Sequence, residues 1–516
     1  MKISILDCTL RDGGYVNNFH FGSNHIQTIK DKLCSFNLEI IECGFLQSGK
    51  SDPKYSLYGG IEQIFLPREH GNQMFVAMIA FGEMDAREIV PRRPGYIDGI
   101  RLTFHNEEWS ETKKFAANLI DKGYKVFIQP VGTVSYPDEN LLTLIKEVNE
   151  LNPFAFYLVD TLGSMYKNDL MRQFFLVEHN LAPGICLGFH SHNNLQLSFA
   201  NTMALLELHT ERHIIIDSSV FGMGRGAGNL NTELITHYIN QNIENRYDLI
   251  PLLELIDDII LPIYKHTPWG FSGSYYLSAI MGVHPNYATF LMDKQSVGMT
   301  KISEILNKLP ESERHLYSKH EIETLYHDEM SHNVEDHAAI EELSAKVDGR
   351  DVLVIAPGGS IKTHRQLIKE YIGNTNPFVV SLNVATEDFL PDLIFVSNRK
   401  RFEQLSENAV PVAVTSNIST NGANGVYVID YDSVLDDPSD PSGIIVLRFL
   451  IRLGIKNVAL AGYDGFTGGH NHFAENLDRY LTAETVADLN ESMGNKLVEI
   501  GELMSVVFIT PSIYGA

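Results

Sequence analysis

Short apolar runs alternate with amphipathic segments through the first 235 residues of the chain. Most of the runs are rich in β-branched residues, and each is followed by a polar or glycine-containing turn and then by a helical pattern. Eight such runs predict strands: KISILDCTL, LEIIECGF, MFVAMIAFG, GIRLTFH, KVFIQPVG, AFYLVDTLG, ICLGFHSH and HIIIDSSVFG. Eight strands that alternate with helices predict a (β/α)8 barrel, although a doubly wound open sheet fits the same pattern.

The pattern changes after the eighth strand. Residues 240–340 are helical and irregular, and DVLVIAPGGSIKTHRQLIKEYIG then predicts a strand, a glycine-containing turn and a helix, with six more strand-like runs behind it. We therefore expect three parts. They are a barrel over residues 1–265, a helical extension and linker over 266–340, and a Rossmann-like α/β domain with an open sheet over 350–516.

Composition narrows the class of protein. The chain has 516 residues and a formal net charge of −25, which argues against a nucleic-acid or anionic-membrane partner because both need a positive surface. The four cysteines include no CxxC pair, which is typical of reduced thiols in a cytoplasmic protein. We expect a cytoplasmic homo-oligomer, with the aromatic-rich segment 265–290 as the candidate subunit interface.

Two histidines stand one residue apart in GFHSHNN, at the end of the seventh predicted strand. Side chains at alternate strand positions point to the same face, so His190 and His192 would converge on one spot. Two neutral imidazoles at that separation can bind one metal ion if a third ligand joins them. A lone HxH pair is more often structural than metal-binding. Residues elsewhere in the chain must therefore distinguish a structural pair from a metal site.

The first strand supplies the missing carboxylate. In LDCTLRDGGY, Asp12 follows the strand and could reach the same barrel mouth as the two histidines. Two imidazoles and a carboxylate form an open site that suits manganese or magnesium, with zinc or cobalt as alternatives. Arg11 is always cationic and cannot be a ligand, so its expected task is to stabilise developing negative charge beside the metal.

Polar residues recur near the carboxyl ends of the predicted strands, which is where barrel enzymes place their active sites. They are Arg11, Asp12, Glu42, Arg101, Gln129, Asp160, His190, His192 and Asp217. Four of them are candidate substrate-binding residues: Glu42, Arg101, Gln129 and Asp160. For each of these four, a salt bridge within the barrel mouth is an equally good interpretation.

Three motifs in order, TLRDGG, GFHSHNN and DSSVFGMGRGAGNLNTE, resemble those of the DRE-TIM metallolyase superfamily. That group includes 3-hydroxy-3-methylglutaryl-CoA lyase, isopropylmalate synthase and 4-hydroxy-2-oxovalerate aldolase. The resemblance covers roughly residues 1–300. It implies a barrel with a divalent metal held by Asp12, His190 and His192, completed or flanked by Asn229, and an enolate stabilised by Arg11.

Among these subgroups the sequence looks most like the aldolases. The resemblance implies cleavage or formation of a 4-hydroxy-2-oxo acid through a pyruvate-type enolate, with a dehydrogenase that accepts the aldehyde as a conceivable partner. One departure concerns the general base, because Tyr15 stands where those aldolases usually carry a histidine. Tyr15 could relay a proton or could be a packed aromatic, and His105 or a residue of WGFSGSYY could do that work instead.

Two other functions remain open for the barrel. One is an acyl-CoA-dependent Claisen synthase, which would use the same metal and arginine. The other is a barrel that has lost catalysis and serves as a nucleotide-binding accessory protein. The presence of Arg11, Asp12, His190 and His192 argues against a barrel without catalysis. Tyr15, in place of the usual histidine, leaves that interpretation open.

The C-terminal domain has a weaker signal. VIAPGGSIK places Gly358, Gly359 and Ser360 at a strand-to-helix turn, whose backbone amides suit a phosphate. The region loosely resembles nucleotide-binding folds of sialyltransferase-like domains attached to surface-polysaccharide enzymes, which implies a nucleotide or nucleotide-sugar site. A structural or oligomerisation module is the alternative. The histidines of HNH, His470 and His472, lack a carboxylate pattern that would support a second metal site.

Overall fold

The structure, a computed structural model, consists of two compact units. It describes residues 2–68, 71–294, 297–330, 334–347, 349–384, 388–405, 410–420, 423, 425–437, 440–467 and 483–515. The first unit comprises residues 1–288 and 314–316, and the second comprises 289–313 and 317–516. Of the helices in the described part of the chain, none is long and apolar enough to cross a membrane.

The first unit is built on a closed parallel barrel. Its strands pair in the order β1-β9-β8-β7-β6-β5-β4-β2, with β1 paired to β2 to complete the circle and the short β3 added beside β2. The eight barrel strands are the eight predicted ones, so the barrel is confirmed and the open sheet is excluded for this unit. The strands are β1 (Lys2–Asp7), β2 (Ile40–Leu46), β3 (Leu57–Tyr58), β4 (Met74–Ala80), β5 (Gly99–Phe104), β6 (Lys125–Pro130), β7 (Ala155–Asp160), β8 (Cys186–Ser191) and β9 (His213–Ser218).

Most of the helices around the barrel pack against it through one apolar stripe. In α2, for example, Thr112, Ala116 and Leu119 recur at helical spacing and are buried, whereas the opposite face is charged. The helices of this unit are α1 (Ser23–Ser35), α2 (Trp109–Asp121), α3 (Asp138–Leu151), α4 (Lys167–Asn180), α5 (Ser198–Leu206), α6 (Thr232–Asn242), α7 (Ile250–Leu255), α8 (Leu261–His266) and α9 (Gly273–Met281). The helix α10 (Pro285–Lys294) begins in the first unit and ends in the second.

The second unit contains an open parallel sheet in the order β14-β13-β12-β11-β10-β15-β16, as predicted for a Rossmann-like domain. Its strands are β10 (Val352–Ile355), β11 (Phe378–Leu382), β12 (Leu393–Val396), β13 (Val412–Thr415), β14 (Val426–Ile429), β15 (Asn457–Ala461) and β16 (Ser505–Phe508). Its helices are α11 (Met299–Asn307), α12 (Lys319–Met330), α13 (His337–Val347), α14 (Ser360–Thr363), α15 (Arg365–Thr375), α16 (Arg399–Glu403), α17 (Ser442–Arg452) and α18 (Ala483–Leu503). The predicted helical extension over 266–340 is thus divided between the two units.

Candidate active site

The turn after β1 carries the first two site residues. The backbone N–H groups of Arg11 and Asp12 both donate to the carbonyl of Cys8, at 3.1 and 2.8 Å. This tight turn directs both side chains into the mouth of the barrel, where Arg11 Nη1 donates to an Asp12 carboxylate oxygen at 2.7 Å. Both side chains are almost completely buried.

Asp12 lies close to His190, which is in β8, and to His192, which directly follows that strand, as the sequence predicts. Asp12, His190 and His192 each offer one ligand atom, and these three atoms lie within 4.8 Å of one another. The two imidazole rings stand nearly perpendicular, with centroids 5.1 Å apart. The arrangement is that of a three-residue site for one divalent ion.

Unpartnered polar atoms at this cluster fit a metal ion. Nδ1 of His192 is buried without a hydrogen-bond partner among the described atoms, and its closest carboxylate oxygen, on Asp12, is 3.8 Å away. Asn229 donates from Nδ2 to Asp12 at 2.7 Å, while its buried Oδ1 has no partner in the described part of the chain. Buried acceptors of this kind are costly unless something binds them, and a cation is what they suit.

The protonation states also suit a cation. Burial alone would raise the pKa of Asp12, but Arg11 and the histidines hold that pKa well below its usual range. Burial lowers the pKa of His192 to about 3, and the charge of Asp12 opposes this only in part. Asp12 is therefore a carboxylate and His192 a neutral imidazole at neutral pH, and these are the forms that bind metal ions.

Asp217, at the end of β9, orients one of these histidines. Nδ1 of His190 lies 3.0 Å from a carboxylate oxygen of Asp217, and the same carboxylate forms an ion pair with Arg101. Burial would raise the pKa of Asp217, but Arg101 and His190 lower it. Asp217 thus remains charged although it is almost completely buried.

Glu42 continues this network back to the metal cluster. One carboxylate oxygen of Glu42 accepts from Arg101 at 2.6 Å and from Arg11 at 2.9 Å. Since Arg11 in turn donates to Asp12, alternating charges connect Asp12 to His190 through the barrel interior. Every member is buried, so each charge depends on its neighbours for solvation.

The four predicted substrate-binding residues lie in different places. Glu42 and Arg101 sit inside β2 and β5, and not at the strand ends as expected, and their charges are used within the network. Asp160 accepts from the backbone N–H groups of Ser164 and Met165, at 2.9 and 3.1 Å, and so holds the loop after β7. Gln129 is buried near the end of β6, and its Nε2 has no partner among the described atoms.

The glycine-rich loop after β9 closes around Asp12, Asn194 and Asn229. A Cβ on Gly224 would lie 2.3 Å from Asn229 Nδ2 and 2.9 Å from Asp12 Oδ2. Gly226 has a φ of +66°, and a Cβ there would lie 2.6 Å from Asn194 Oδ1. These glycines allow the close approach of backbone to the site, because a larger side chain would displace Asp12 or Asn194.

A cleft opens beside the cluster. The residues that line it are Thr161, His192, Asn194, Arg225, Gly226, His284, Pro285 and Asn286. The guanidinium of Arg225 lies 4.2 Å above the ring of Tyr15, which also packs edge-on against Phe19. Sequence reasoning missed Arg225 and His284. The isolated arginine within GMGRGAG was a usable signal for the first of them.

The other candidates for the general base lie elsewhere. His105 precedes a short 3-10 helix over Asn106–Glu108, and its backbone N–H donates to Glu108 at 2.7 Å. It is not among the described residues that line the cleft. In WGFSGSYY, Trp269 donates from Nε1 to the carbonyl of Phe221 at 3.0 Å, so this segment supports the glycine-rich loop.

The strand-to-helix turn of the second unit is already occupied by a side chain. The backbone N–H of Ser360 donates to the Asp464 carboxylate at 2.7 Å, and its hydroxyl hydrogen-bonds to the same carboxylate and to Thr510. A Cβ on Gly358 would lie 2.3 Å from the carbonyl of Gly462, so this glycine serves close packing. The backbone amide of Ser360, which the sequence offers to a phosphate, therefore donates to an internal carboxylate instead. His470 and His472 lie outside the described residues.

Comparison with known proteins agrees with this geometry. The model of the HMGL-like family matches residues 106–259, which span β6 to β9. The N-terminal barrel carries an HMGL-like domain. The predicted resemblance to the DRE-TIM metallolyases is thereby confirmed.

Characterised relatives resemble the barrel at low identity. The chain is 26% identical over 233 residues to an oxaloacetate decarboxylase of Mycobacterium tuberculosis, covering 45% of this chain and 68% of that protein. It is 23% identical over 302 residues to a 4-hydroxy-2-oxovalerate aldolase of Chloroflexus aurantiacus, covering 57% and 84%. A solved HMG-CoA lyase of Brucella melitensis is 18% identical with a TM-score of 0.39, over 49% of this chain and 96% of that one.

Proposed function

We propose that this protein is a divalent-metal-dependent aldolase that cleaves or forms a 4-hydroxy-2-oxo acid through the enolate of pyruvate. The observation that carries the proposal is Arg11. Its Nη2 is a buried donor without a partner among the described atoms, next to the cluster of Asp12, His190 and His192. A buried guanidinium that keeps one donor unused beside a metal site is suited to an oxyanion.

The residues present fit a manganese or magnesium ion, with zinc or cobalt as alternatives. Asp12, His190 and His192 would hold it, with Asn229 Oδ1 as a further oxygen donor. When bound, the ion supplies Lewis-acid polarisation of the 2-oxo group and compensates negative charge on the enolate.

Arg11 stabilises the charge that develops during cleavage. As the C3–C4 bond breaks, its electron pair forms the C2–C3 double bond and negative charge collects on the C2 oxygen, while the C4 hydroxyl gives its proton to water and C4 leaves as an aldehyde. Arg11 Nη2 donates to that oxygen, and Glu42 and Asp12 hold the guanidinium in place through Nε and Nη1. Because the guanidinium is oriented in advance, little reorganisation is needed during the reaction.

A second candidate is decarboxylation of oxaloacetate to the same enolate. Tyr15 favours it, since loss of carbon dioxide requires no base for a C4 hydroxyl, and a phenol stands where an imidazole would serve as that base. The similarity to an oxaloacetate decarboxylase supports it as well. The Claisen synthase predicted as an alternative would use the same groups and remains a prediction.

A pyruvate-release assay tests the proposal. Purified enzyme with Mg²⁺ or Mn²⁺ is assayed on 4-hydroxy-2-oxo acids of increasing length and on oxaloacetate, beside His190→Ala, His192→Ala and the exposed control His209→Ala. We expect wild type and His209→Ala to bind one divalent ion and release pyruvate and an aldehyde, and both site variants to lose the ion. Release from oxaloacetate alone would favour the decarboxylase. Metal binding without release from any of these acids would contradict both.

The remaining predictions from the sequence stay predictions. They are a cytoplasmic homo-oligomer, an aldehyde-accepting dehydrogenase partner, a role in sugar or surface-polysaccharide metabolism, and a nucleotide or nucleotide-sugar ligand of the second unit.

A further inference from the structure

Arg225 lines the cleft beside the metal cluster without a carboxylate partner. Among the described residues its guanidinium contacts the ring of Tyr15, 4.2 Å away, and no carboxylate lies within ion-pair distance of it. None of the described residues that line the cleft is acidic, although the chain has 65 acidic side chains against 40 lysines and arginines. A cation that stands apart from carboxylates in so acidic a protein is available to an anionic ligand.

Both the backbone and the side chain of Arg225 are held in place. The backbone N–H of Gly228 donates to the carbonyl of Arg225 at 3.0 Å, which closes a turn of the glycine-rich loop. The guanidinium rests on Tyr15, whose ring packs edge-on against Phe19 and Phe45, with centroids 5.0 and 6.2 Å away. A guanidinium positioned in advance loses little conformational entropy when it binds an anion.

The charges of the buried network do not compensate Arg225. The network has one more carboxylate than it has guanidiniums, its members being Asp12, Glu42, Asp217, Arg11 and Arg101. Histidines that bind an ion are neutral, so a divalent ion would leave one surplus positive charge. The C1 carboxylate of a 2-oxo acid would balance that surplus. The charge of Arg225 would then still lack a counter-ion, and a second negative group on the substrate would supply it.

The cleft relates Arg225 to one particular part of the substrate. His192 and Arg225 line the same cleft, which therefore extends from a candidate metal ligand to the guanidinium. In the proposed reaction the C1 and C2 oxygens are bound at the ion and at Arg11, so the substituent on C4 is the part free to extend along the cleft. Thr161 also lines it, and its hydroxyl accepts from the backbone N–H of Gly132 at 2.9 Å and keeps its own proton for donation.

We propose that Arg225 is a specificity-determining residue, which binds an anionic group at the far end of the C4 substituent. This assignment rests on the proposed aldolase function and names its substrate class, 4-hydroxy-2-oxo acids that carry a second carboxylate or a phosphate beyond C4. The planar guanidinium forms paired hydrogen bonds with either group. On cleavage, the anionic group leaves with the aldehyde and not with pyruvate.

Two seven-carbon 2-oxo acids test this anionic subsite without turnover. 2-Oxoheptanedioate ends in a carboxylate and 2-oxoheptanoate in a methyl group, and neither has the C4 hydroxyl that cleavage requires. Isothermal titration of the Mn²⁺-loaded protein gives the ratio of the two dissociation constants for wild type, Arg225→Gln, Arg225→Lys and the exposed control Arg93→Gln. We expect wild type and the control to prefer the dicarboxylate by about 10- to 100-fold, Arg225→Gln to lose this preference, and Arg225→Lys to keep part of it.

Condensation of pyruvate with three aldehydes distinguishes a carboxylate from a phosphate. Butanal is uncharged, succinic semialdehyde ends in a carboxylate, and glyceraldehyde 3-phosphate ends in a phosphate. For each charged aldehyde, its kcat/KM is divided by that of butanal. We expect wild type to prefer one of the charged aldehydes, chiefly through a lower KM, and this preference to fall by about tenfold or more in Arg225→Gln. The aldehyde with the larger fall identifies the group that Arg225 binds.

The outcomes separate the role of Arg225 from the aldolase function. An equal preference for the dicarboxylate in wild type and Arg225→Gln, or condensation without preference for either charged aldehyde, would overturn the role of Arg225. Loss of the metal ion in Arg225→Gln would show that this residue supports the metal site instead. Preferential binding of the dicarboxylate without condensation of any aldehyde would overturn the aldolase function while supporting the anionic subsite.

Discussion

His190 donates from Nδ1 to the carboxylate of Asp217 across a distance of 3.0 Å. This hydrogen bond leaves Nε2 as the nitrogen with the free lone pair, and it fixes the plane of the ring. Asp217 is not among the candidate ligands, but it decides which atom of His190 is available to a metal ion. The Arg101 ion pair keeps that carboxylate charged in a buried position.

Asp217→Asn should therefore weaken the metal site while Asp12, His190 and His192 remain present. We expect divalent-ion affinity to fall by about 10- to 100-fold, because the amide supports the imidazole less well and can present its N–H₂ group to it. Isothermal titration of the metal-free protein with Mn²⁺ measures the change. Asp121→Asn, at the exposed end of α2, is the matched control and should bind as wild type does. An unchanged affinity in Asp217→Asn would show that Asp217 does not orient the ligand.

Substitutions of Tyr15 should distinguish its ring from its hydroxyl. The ring supports Arg225 from 4.2 Å, so Tyr15→Phe should keep retro-aldol activity within about threefold, whereas Tyr15→Leu should raise the substrate KM several-fold. Steady-state kinetics of the two variants measure this difference. The contrary result is a loss of kcat in Tyr15→Phe by the same factor by which Tyr15→Leu loses kcat/KM. That result would show that the phenol carries a proton, which is one of the two interpretations of the sequence.

The sequence predicted the eight barrel strands and the convergence of His190 and His192 because each depends on local pattern. Apolar runs specify strands, and alternate positions place His190 and His192 on one face. The role of Glu42 was not predictable in this way, since its partners Arg101 and Arg11 come from a different strand and from the turn after β1. His284 was also missed, because it lies about 90 residues beyond the histidine pair and only the folded chain brings it to the cleft.

The buried carboxyl of Asp7 should make the free energy of unfolding of the protein depend on pH. Burial raises its pKa to about 7, although hydrogen bonds from Thr9 and Thr232 act to lower it. Because the pKa of Asp7 is higher in the folded protein than in the unfolded chain, the protonated carboxyl contributes to the free energy of unfolding. This contribution is complete below the unfolded-state pKa near 4 and is lost as the pH rises to about 7. Asp7→Asn imitates the protonated form, so it should flatten this part of the stability curve and be more stable than wild type at pH 8, by on the order of a few kcal/mol.

Urea unfolding of wild type and Asp7→Asn between pH 4 and pH 8 measures this difference. The stability curves should converge near pH 4 and separate as pH rises. Curves that run parallel over the whole range would show that the carboxyl of Asp7 has an ordinary pKa in the folded protein.

Gly358→Ala should destabilise the second unit. Its Cβ would collide with the carbonyl of Gly462 and with the carboxylate of Asp464 that caps Ser360, so we expect a loss of about 2 kcal/mol or more. Gly373→Ala is the matched control, because it lies within α15 with open space around it and should stabilise by about 0.5–1 kcal/mol. Thermal unfolding followed by circular dichroism compares the two variants. A Gly358→Ala protein as stable as wild type would contradict this close packing.

Deuterium exchange into the methyl group of pyruvate measures whether a metal ion and Arg11 together stabilise a pyruvate enolate. Proton NMR in D2O with Mg²⁺ follows the reaction and requires no knowledge of the aldehyde. We expect exchange by wild type, its loss on chelation, and a decrease of about 100-fold in Arg11→Lys, which keeps a positive charge but lacks Nη2, with metal affinity little changed. Wild-type protein that binds the ion yet leaves the methyl signal intact, or an Arg11→Lys variant that exchanges as fast as wild type, would contradict it.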